Sequence, residues 1–243
     1  MTTTTPKAVK IPRRRSAKVN PAHPVYEIDL WLCGTEPPIW RTLAVSNDFT
    51  LDDLHILIQI AMDWENYHIH QFETKSGTRY ESEPETFAVD SMWKTIMDGT
   101  QESKEESEVA LVDLFEDLKE TLLYLYDFGD NWDHGLKIIR THEKRSEFEH
   151  LPCLLDGARA APPEDCGGVW GYENNLEILQ NPDPKNEDHE MIIEWMGGVN
   201  YDPEAFDPDA INRSIQSVFA PPPKHSGTKG RKRGIKQKKR KSR

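Results

Sequence analysis

Residues 126–134, with the sequence YDFGDNWDH, bring three aspartates and a histidine into one short stretch between two predicted strands. A turn that only reverses the chain needs Gly, Asn or Asp, but neither a flanking histidine nor extra carboxylates. Asp127 and Asp130 are therefore candidate general bases, and with a divalent ion they would support hydrolysis of a phosphoester by activating water. The alternative is a structural turn, in which aspartate side chains accept hydrogen bonds from backbone N–H groups.

Two further histidines and two cysteines are candidate metal ligands. His68 and His70 lie two residues apart in a predicted strand, which places both imidazoles on one face, as a metal dyad requires. Together with His134, Cys153 and Cys166 they form a candidate site for zinc or another divalent metal. The cysteine spacing matches no standard zinc ribbon or finger. The competing interpretation places the histidines in hydrogen bonds within the sheet and the cysteines in the core.

The segment PPEDCGGVWGYENN, residues 162–175, predicts a rigid loop that leads into a helix. Its proline pair restricts the backbone, and its glycine pair permits positive φ or close approach of another group. Glu164 and Asp165 place two adjacent charges in this loop. Trp170 and Tyr172 could stack on a ligand, or they could anchor the loop to the sheet.

The chain ends are strongly basic, whereas the body is acidic. Residues 1–24 carry six Lys or Arg and residues 224–243 carry eleven, with no Asp or Glu in either, so the body keeps 13 of the 30 basic residues against all 42 acidic ones, a net charge of −29. Such ends favour salt-dependent contact with nucleic acid, without base reading because the C-terminal run has no aromatic residue. A nuclear-localisation signal and a clamp on the acidic body are alternative interpretations. The candidate nucleic-acid contacts are Arg13, Arg14, Arg15, Arg231, Lys232, Arg233, Lys238, Lys239, Arg240 and Lys241.

Hydrophobic periodicity predicts strands early in the chain and helices late. Strands are predicted at 25–33 and 39–45, and then a helix capped by Thr50. A hairpin follows at 68–81, and a second hairpin joins the alternating residues 122–128 and 132–138 across the YDFGDNWDH turn. Residues 153–170 are rich in Pro and Gly and are predicted to be irregular. Helices are predicted at 172–180, 186–196 and 207–218, the last with Asp207 as its cap and Pro208 at its first position.

These elements predict an α+β fold with a mainly antiparallel sheet covered by helices. The domain scheme is a basic disordered arm at 1–24, an α+β domain at 25–219 with an acidic insertion at 82–108, and a basic disordered tail at 220–243. No apolar run is long enough to cross a membrane, and the basic N-terminus lacks the apolar core of a secretory signal. Three cysteines are too few for a disulfide scaffold, so we expect a reducing, cytoplasmic location.

Five stretches, in order along residues 25–215, resemble the plasmid pRiA ORF-three-like family, also met as TnpR-like passenger proteins of transposons. They are PPIWR at 37–41, DLHILIQIAMDW at 53–64 followed by HIHQFE, YDFGDNWDH, PPEDCGGVWGYENNLEIL at 162–179 and WMGGVNYDPEAFDPDAIN at 195–212. The resemblance covers the body and not the basic ends, and it implies no established activity or ligand. Family members often carry Cys at the position of Ala161. If the family binds metal through a cysteine pair, this chain either uses Cys153 with Cys166 or has lost the site.

The TnpR label suggests site-specific recombination, but the residues disfavour it. A serine resolvase needs an early nucleophilic serine among several arginines, and Ser46 lacks such a neighbourhood. The leading hypothesis is a non-catalytic accessory protein of a mobile element that contacts nucleic acid through its basic ends and a protein partner through its acidic body. The alternatives are a metal-dependent phosphoester hydrolase and a protein-interaction adaptor.

Overall fold

The computed structural model describes residues 23–82, 103–115, 121–183, 185–198 and 200–220. Its strands form one sheet in the order β5-β4-β3-β6-β7-β1-β2-β8, antiparallel except where β4 meets β5. The strands are β1 Val25–Leu32, β2 Trp40–Ser46, β3 His70–Glu73, β4 Arg79–Glu81, β5 Ser103–Glu105, β6 Leu122–Tyr126, β7 Trp132–His142 and β8 Cys153–Ala158.

The described helices are α1 Leu51–Ala61, α2 Leu111–Leu114, α3 Gly168–Gln180, α4 Glu187–Trp195 and α5 Pro208–Phe219. Two helix starts confirm the capping signals of the sequence. The Thr50 side chain accepts a hydrogen bond from the Asp53 backbone N–H, and the Asp207 side chain accepts one from Ala210. The fold is therefore α+β with a mainly antiparallel sheet, as predicted.

Helix α1 lies in the centre of the core, because Leu51 and the eight residues from Leu54 to Ala61 are buried. Alternating residues of β6 and β7 face the same core, and the pair Tyr124 and His134 lies opposite one another across the hairpin. His55 and Gln59, one turn apart on α1, bring polar groups into this apolar interior. Their partners, described below, lie on the sheet.

The prediction that residues 153–170 are irregular is wrong at both ends, since α3 already begins at Gly168. Cys153–Ala158 forms the edge strand β8, which pairs with β2, and pairing with a distant strand outweighs the local Gly and Pro content. The free side of β8 is covered by α5. The Asn212 amide donates to the Leu154 carbonyl at 2.9 Å and accepts from the Leu154 N–H at 2.8 Å.

Two other boundaries differ from the sequence predictions. Strand β3 begins at His70, so His68 lies before the strand and not beside His70 on one face. Residues 103–108, at the end of the predicted acidic insertion, pack against the domain, since Glu106 is buried and forms a hydrogen bond of 2.8 Å with His70. Most of the insertion and nearly all of both basic ends lie outside the described residues. None of the described helices combines the length and apolar character that crossing a bilayer requires.

Candidate divalent-cation site

His68, Asp127 and Asp165 meet where β3 begins and β6 ends. One ligand atom from each lies within 4.8 Å of the others, a grouping found once among the described histidines, cysteines and carboxylates. His68 Nε2 is 3.1 Å from Asp165 Oδ1, and His68 Nδ1 is 3.6 Å from Asp127 Oδ2. The Nε2 contact lacks hydrogen-bond geometry, so this buried nitrogen has no hydrogen-bond partner among the described residues. We call these three residues the His68 cluster.

Strand pairing brings His68 next to Asp127. His70 pairs with Tyr126, and a backbone hydrogen bond of 2.9 Å from Asp127 N to Ile69 O extends the pairing past both strand ends. Asp127 has a φ of 57° and begins the turn, with its Oδ1 accepting from Gly129 N at 2.9 Å. Its other oxygen, Oδ2, is the one that faces His68.

Asp165 reaches the cluster because its loop packs directly on the turn. The Asp130 carboxylate accepts a hydrogen bond from Gly167 N at 3.0 Å. A Cβ at Gly168, where φ is 67°, would overlap with the Asp130 carbonyl oxygen, so only glycine fits there. Asp130 therefore ties the loop to the turn and stands beside the cluster, not in it.

The Tyr126 hydroxyl joins the two halves of the site. It accepts from the backbone N–H groups of Tyr67 and His68, at 3.1 and 3.4 Å, and donates to the Glu164 carboxylate at 2.5 Å. The second Glu164 oxygen accepts from Glu65 N at 2.7 Å. Burial, together with Glu164, raises the pKa of Tyr126. Glu164 is thus used in holding the loop, which leaves Asp165 as the loop's ligand candidate.

The remaining predicted ligands lie elsewhere in the described structure. His70 is stacked on His55 at 3.4 Å between ring centroids and bonded to Glu106. His134 is fully buried and donates from Nδ1 to the Trp132 carbonyl. Cys153 packs with a second small core near Val25, and Cys166 is buried in the main core.

The two aromatic residues predicted in the ligand loop, Tyr172 and Trp170, have different roles. Tyr172 is buried and its hydroxyl meets that of Tyr201, so it anchors the loop. Trp170 is 88% exposed and lines an open cleft of about 620 Å³ with Asp130 and Gly167. Two further aromatic residues are exposed: Tyr67, which precedes His68 in the chain, and Trp195, whose indole donates to the Glu164 carbonyl at 3.2 Å. We call Tyr67, Trp170 and Trp195 the aromatic rim.

The sequence predicts no role for the Tyr126 hydroxyl or His55, and it predicts Asp165 as a candidate of the ligand loop but not as a metal ligand. A usable signal for His55 was its spacing of four from Gln59 among apolar positions of α1. His55 Nδ1 and Gln59 Nε2 both bind the buried Tyr124 hydroxyl, at 2.8 and 3.0 Å. For Tyr126 and Asp165 the sequence carries no such signal, since their roles depend on how a distant loop packs.

We predict that Tyr126→Phe loosens the site. It leaves the Tyr67 and His68 N–H groups and one Glu164 oxygen without their shared partner, at a cost of about 1–3 kcal/mol in unfolding free energy. Chemical denaturation measures this loss, and amide hydrogen exchange at Tyr67 and His68 should accelerate. Tyr80→Phe is the control, because the Tyr80 hydroxyl has no hydrogen bond to the described residues. Equal effects of the two variants would contradict the role of Tyr126.

We predict that the pKa values of His134 and His142 are shifted in opposite directions. Burial lowers the pKa of His134 to about 4. The Glu147 hydrogen bond raises the pKa of His142, at the end of β7, while burial opposes this shift and Glu27 adds to it. Between about pH 6.5 and pH 4 His134 is protonated in the unfolded chain but neutral in the folded chain. The free energy of unfolding therefore decreases as the pH falls through that window.

Imidazole NMR titration tests this directly. The His134 ring signals should stay at their neutral positions until about pH 4, whereas those of His142 should move first, above the ordinary midpoint of about 6.5. A His134 midpoint at the ordinary value in folded protein would show that its ring is not held neutral by burial.

Known proteins are similar to this chain over most of its length, chiefly its acidic body. Residues 24–210 match the family described as plasmid pRiA4b ORF-3-like protein. The uncharacterized protein y4hQ of Sinorhizobium fredii (strain NBRC 101917 / NGR234) is 32% identical over 198 residues, which cover 81% of this chain and 93% of y4hQ. The crystal structure of MM3350, a protein of unknown function from Methanosarcina mazei Go1, is similar with a TM-score of 0.62 and 38% identity, covering 76% of this chain and 96% of that chain. The family predicted from the five sequence stretches is confirmed.

Proposed function

This chain belongs to the plasmid pRiA4b ORF-3-like family, and from that starting point we propose that its domain binds a divalent cation through the His68 cluster and uses it to hydrolyse a phosphoester. The observation that carries the proposal is the convergence of one imidazole and two carboxylates from three separate segments. Donor atoms around an ion with bond lengths of about 2.1 Å lie about 3 to 4 Å apart, so the cluster needs only small movements to close on one ion.

The donor set favours manganese or zinc. Carboxylates suit hard ions and imidazole suits zinc and its neighbours, while neither cysteine candidate belongs to the cluster. Half-exposed Asp165 leaves the cluster open to solvent on one side. A bound ion there would polarise a phosphoester oxygen and lower the pKa of a water ligand, which are the two tasks of a metal-dependent hydrolase.

The aromatic rim supports a nucleotide-containing substrate. Tyr67 precedes His68 in the chain, Trp195 binds the Glu164 carbonyl and Trp170 lines the cleft beside Asp130. All three are exposed, and a base stacked on such a ring gains about 1–3 kcal/mol. The bound cation would meet the phosphate, which the acidic body otherwise repels.

Cation binding is tested by titrating Mn²⁺ and Zn²⁺ into chelator-treated, untagged protein by calorimetry. We expect about one ion per chain, and His68→Ala and Asp165→Asn should each weaken binding by at least about tenfold. The controls are His150→Ala and Asp156→Asn, which make the same changes at exposed positions away from the cluster. A folded wild type that binds no more ion than His68→Ala would overturn the proposal. Hydrolysis of bis(p-nitrophenyl) phosphate, dependent on the same two residues, tests the second step separately.

We also propose that the protein is an accessory protein of a mobile element and that its basic ends contact nucleic acid inside the cell. This rests on the sequence, in which residues 224–243 carry eleven cations and no acid. In the same proposal a protein partner binds the acidic body. An adaptor without enzymatic activity is the competing function, and it predicts partner binding that survives His68→Ala.

We predict salt-sensitive, sequence-independent DNA binding by the full chain. A chain ending at Ala220 should bind more weakly and show a shallower dependence of log K on log salt, because fewer counterions are released. Fluorescence anisotropy with two duplexes of unrelated sequence measures both quantities. Replacing Arg13, Arg14 and Arg15 with Gln isolates the N-terminal arm. An unchanged salt slope after removal of residues 221–243 would exclude the C-terminal run as the contact.

A further inference from the structure

A second site centres on Arg41, whose guanidinium is buried and has no carboxylate partner in the part of the chain that the structure describes. Arg41 is only 2% exposed, and its Nε donates to the Ala61 carbonyl at 2.9 Å. Nη1 donates to the carbonyls of Trp40 and Ala158, at 2.7 and 2.8 Å, and Nη2 donates to Arg159 O at 2.9 Å. Four of its five N–H groups are therefore bonded to neutral carbonyls, and one on Nη2 is left.

No carboxylate of the described residues forms an ion pair with Arg41, so its positive charge is solvated but not neutralised. Burial lowers its pKa to about 10, which still leaves the group charged at neutral pH. The ring of Phe206 lies 5.0 Å from the guanidinium carbon, in cation–π contact. A buried cation of this kind attracts an anion that can reach it.

Arg41 is one of the residues that line a cavity of about 710 Å³, a volume within the range of small-ligand sites. Its walls are largely apolar, with Ile60, Met62, Pro162 and Ile211 beside Phe206. We call this space the Arg41 cavity. Its lining includes none of His68, Asp127 and Asp165, so it shares no residue with the His68 cluster.

The lining also carries one further arginine and two carboxylates, and neither carboxylate forms an ion pair with Arg41 in the described structure. Arg159 is paired with Glu204 at 2.7 Å. Asp207 caps α5 through Oδ1, and its Oδ2 lies 3.9 Å from Arg213. Asp63 lines the cavity as well, and burial, followed by Glu65, raises the pKa of its carboxyl.

We propose that the Arg41 cavity binds a small organic carboxylate, with the anionic group at the guanidinium and the apolar body against Phe206 and Ile211. The charged group supplies the selectivity for an acid over its amide, and the apolar walls supply the area that is buried on binding. This proposal does not depend on a cation at the His68 cluster.

The test uses benzoate and phenylacetate as probes, with benzamide and phenylacetamide as their neutral counterparts, titrated into the full chain and followed by NMR. We expect each acid to bind at least about tenfold more tightly than its amide and to shift the Phe206 ring signals. Equal affinity of acid and amide, or no shift from either acid at millimolar concentration, would overturn the proposal.

A pair of variants on α5 places the binding within the cavity without removing Arg41, whose loss would also break the ties to Ala61 and Ala158. Ser214 is exposed and lines the cavity, so Ser214→Trp should fill it and weaken acid binding by at least about tenfold. Ser217→Trp adds the same side chain one turn on, outside the lining. Binding that is unaffected by Ser214→Trp, or weakened equally by both changes, would show that the acids bind elsewhere and that Arg41 is a structural tie only.

Discussion

The Tyr126 hydroxyl is the constraint on which the candidate cation site depends. One oxygen holds the backbone before β3 and donates to Glu164, which in turn binds the backbone after α1. Residues 65–68, the end of β6 and the Glu164 loop, three segments distant in sequence, are thereby fixed around a single buried atom. Leaving a buried polar group without a partner costs about as much free energy as its hydrogen bonds gain. Other placements of these three segments are therefore destabilised, in addition to the observed placement being stabilised.

A second set of polar contacts fixes α1 over the sheet. The Tyr124 hydroxyl binds His55 and Gln59, and His55 stacks on His70, which reaches Glu106. An apolar interface alone would tolerate rotation of the helix, whereas these directional bonds are satisfied in one register only. The core is therefore specified by its few polar groups as much as by its apolar volume.

Local signals were sufficient for much of the fold. The Thr50 and Asp207 caps and the alternation on either side of the YDFGDNWDH turn depend on neighbouring residues, and all three are observed. Strand β8 was missed because its stability comes from a partner more than 100 residues away in sequence. Only part of the candidate cation site could be predicted from the sequence. Residues His68 and Asp127 stood out by type, but Asp165 joins them only because Gly168 lets its loop touch the turn.

The contact between Asn212 and Leu154 has a consequence for how this domain meets other chains. An edge strand presents free N–H and C=O groups, and a second chain can add itself to the sheet through them. Here a side-chain amide from α5 already forms both bonds that an added strand would make at Leu154, and Gln216 binds the nearby Pro152 carbonyl at 3.0 Å. The helix thus supplies the pair of hydrogen bonds that one residue of a neighbouring strand would supply, and no strand can be added to the sheet at that position.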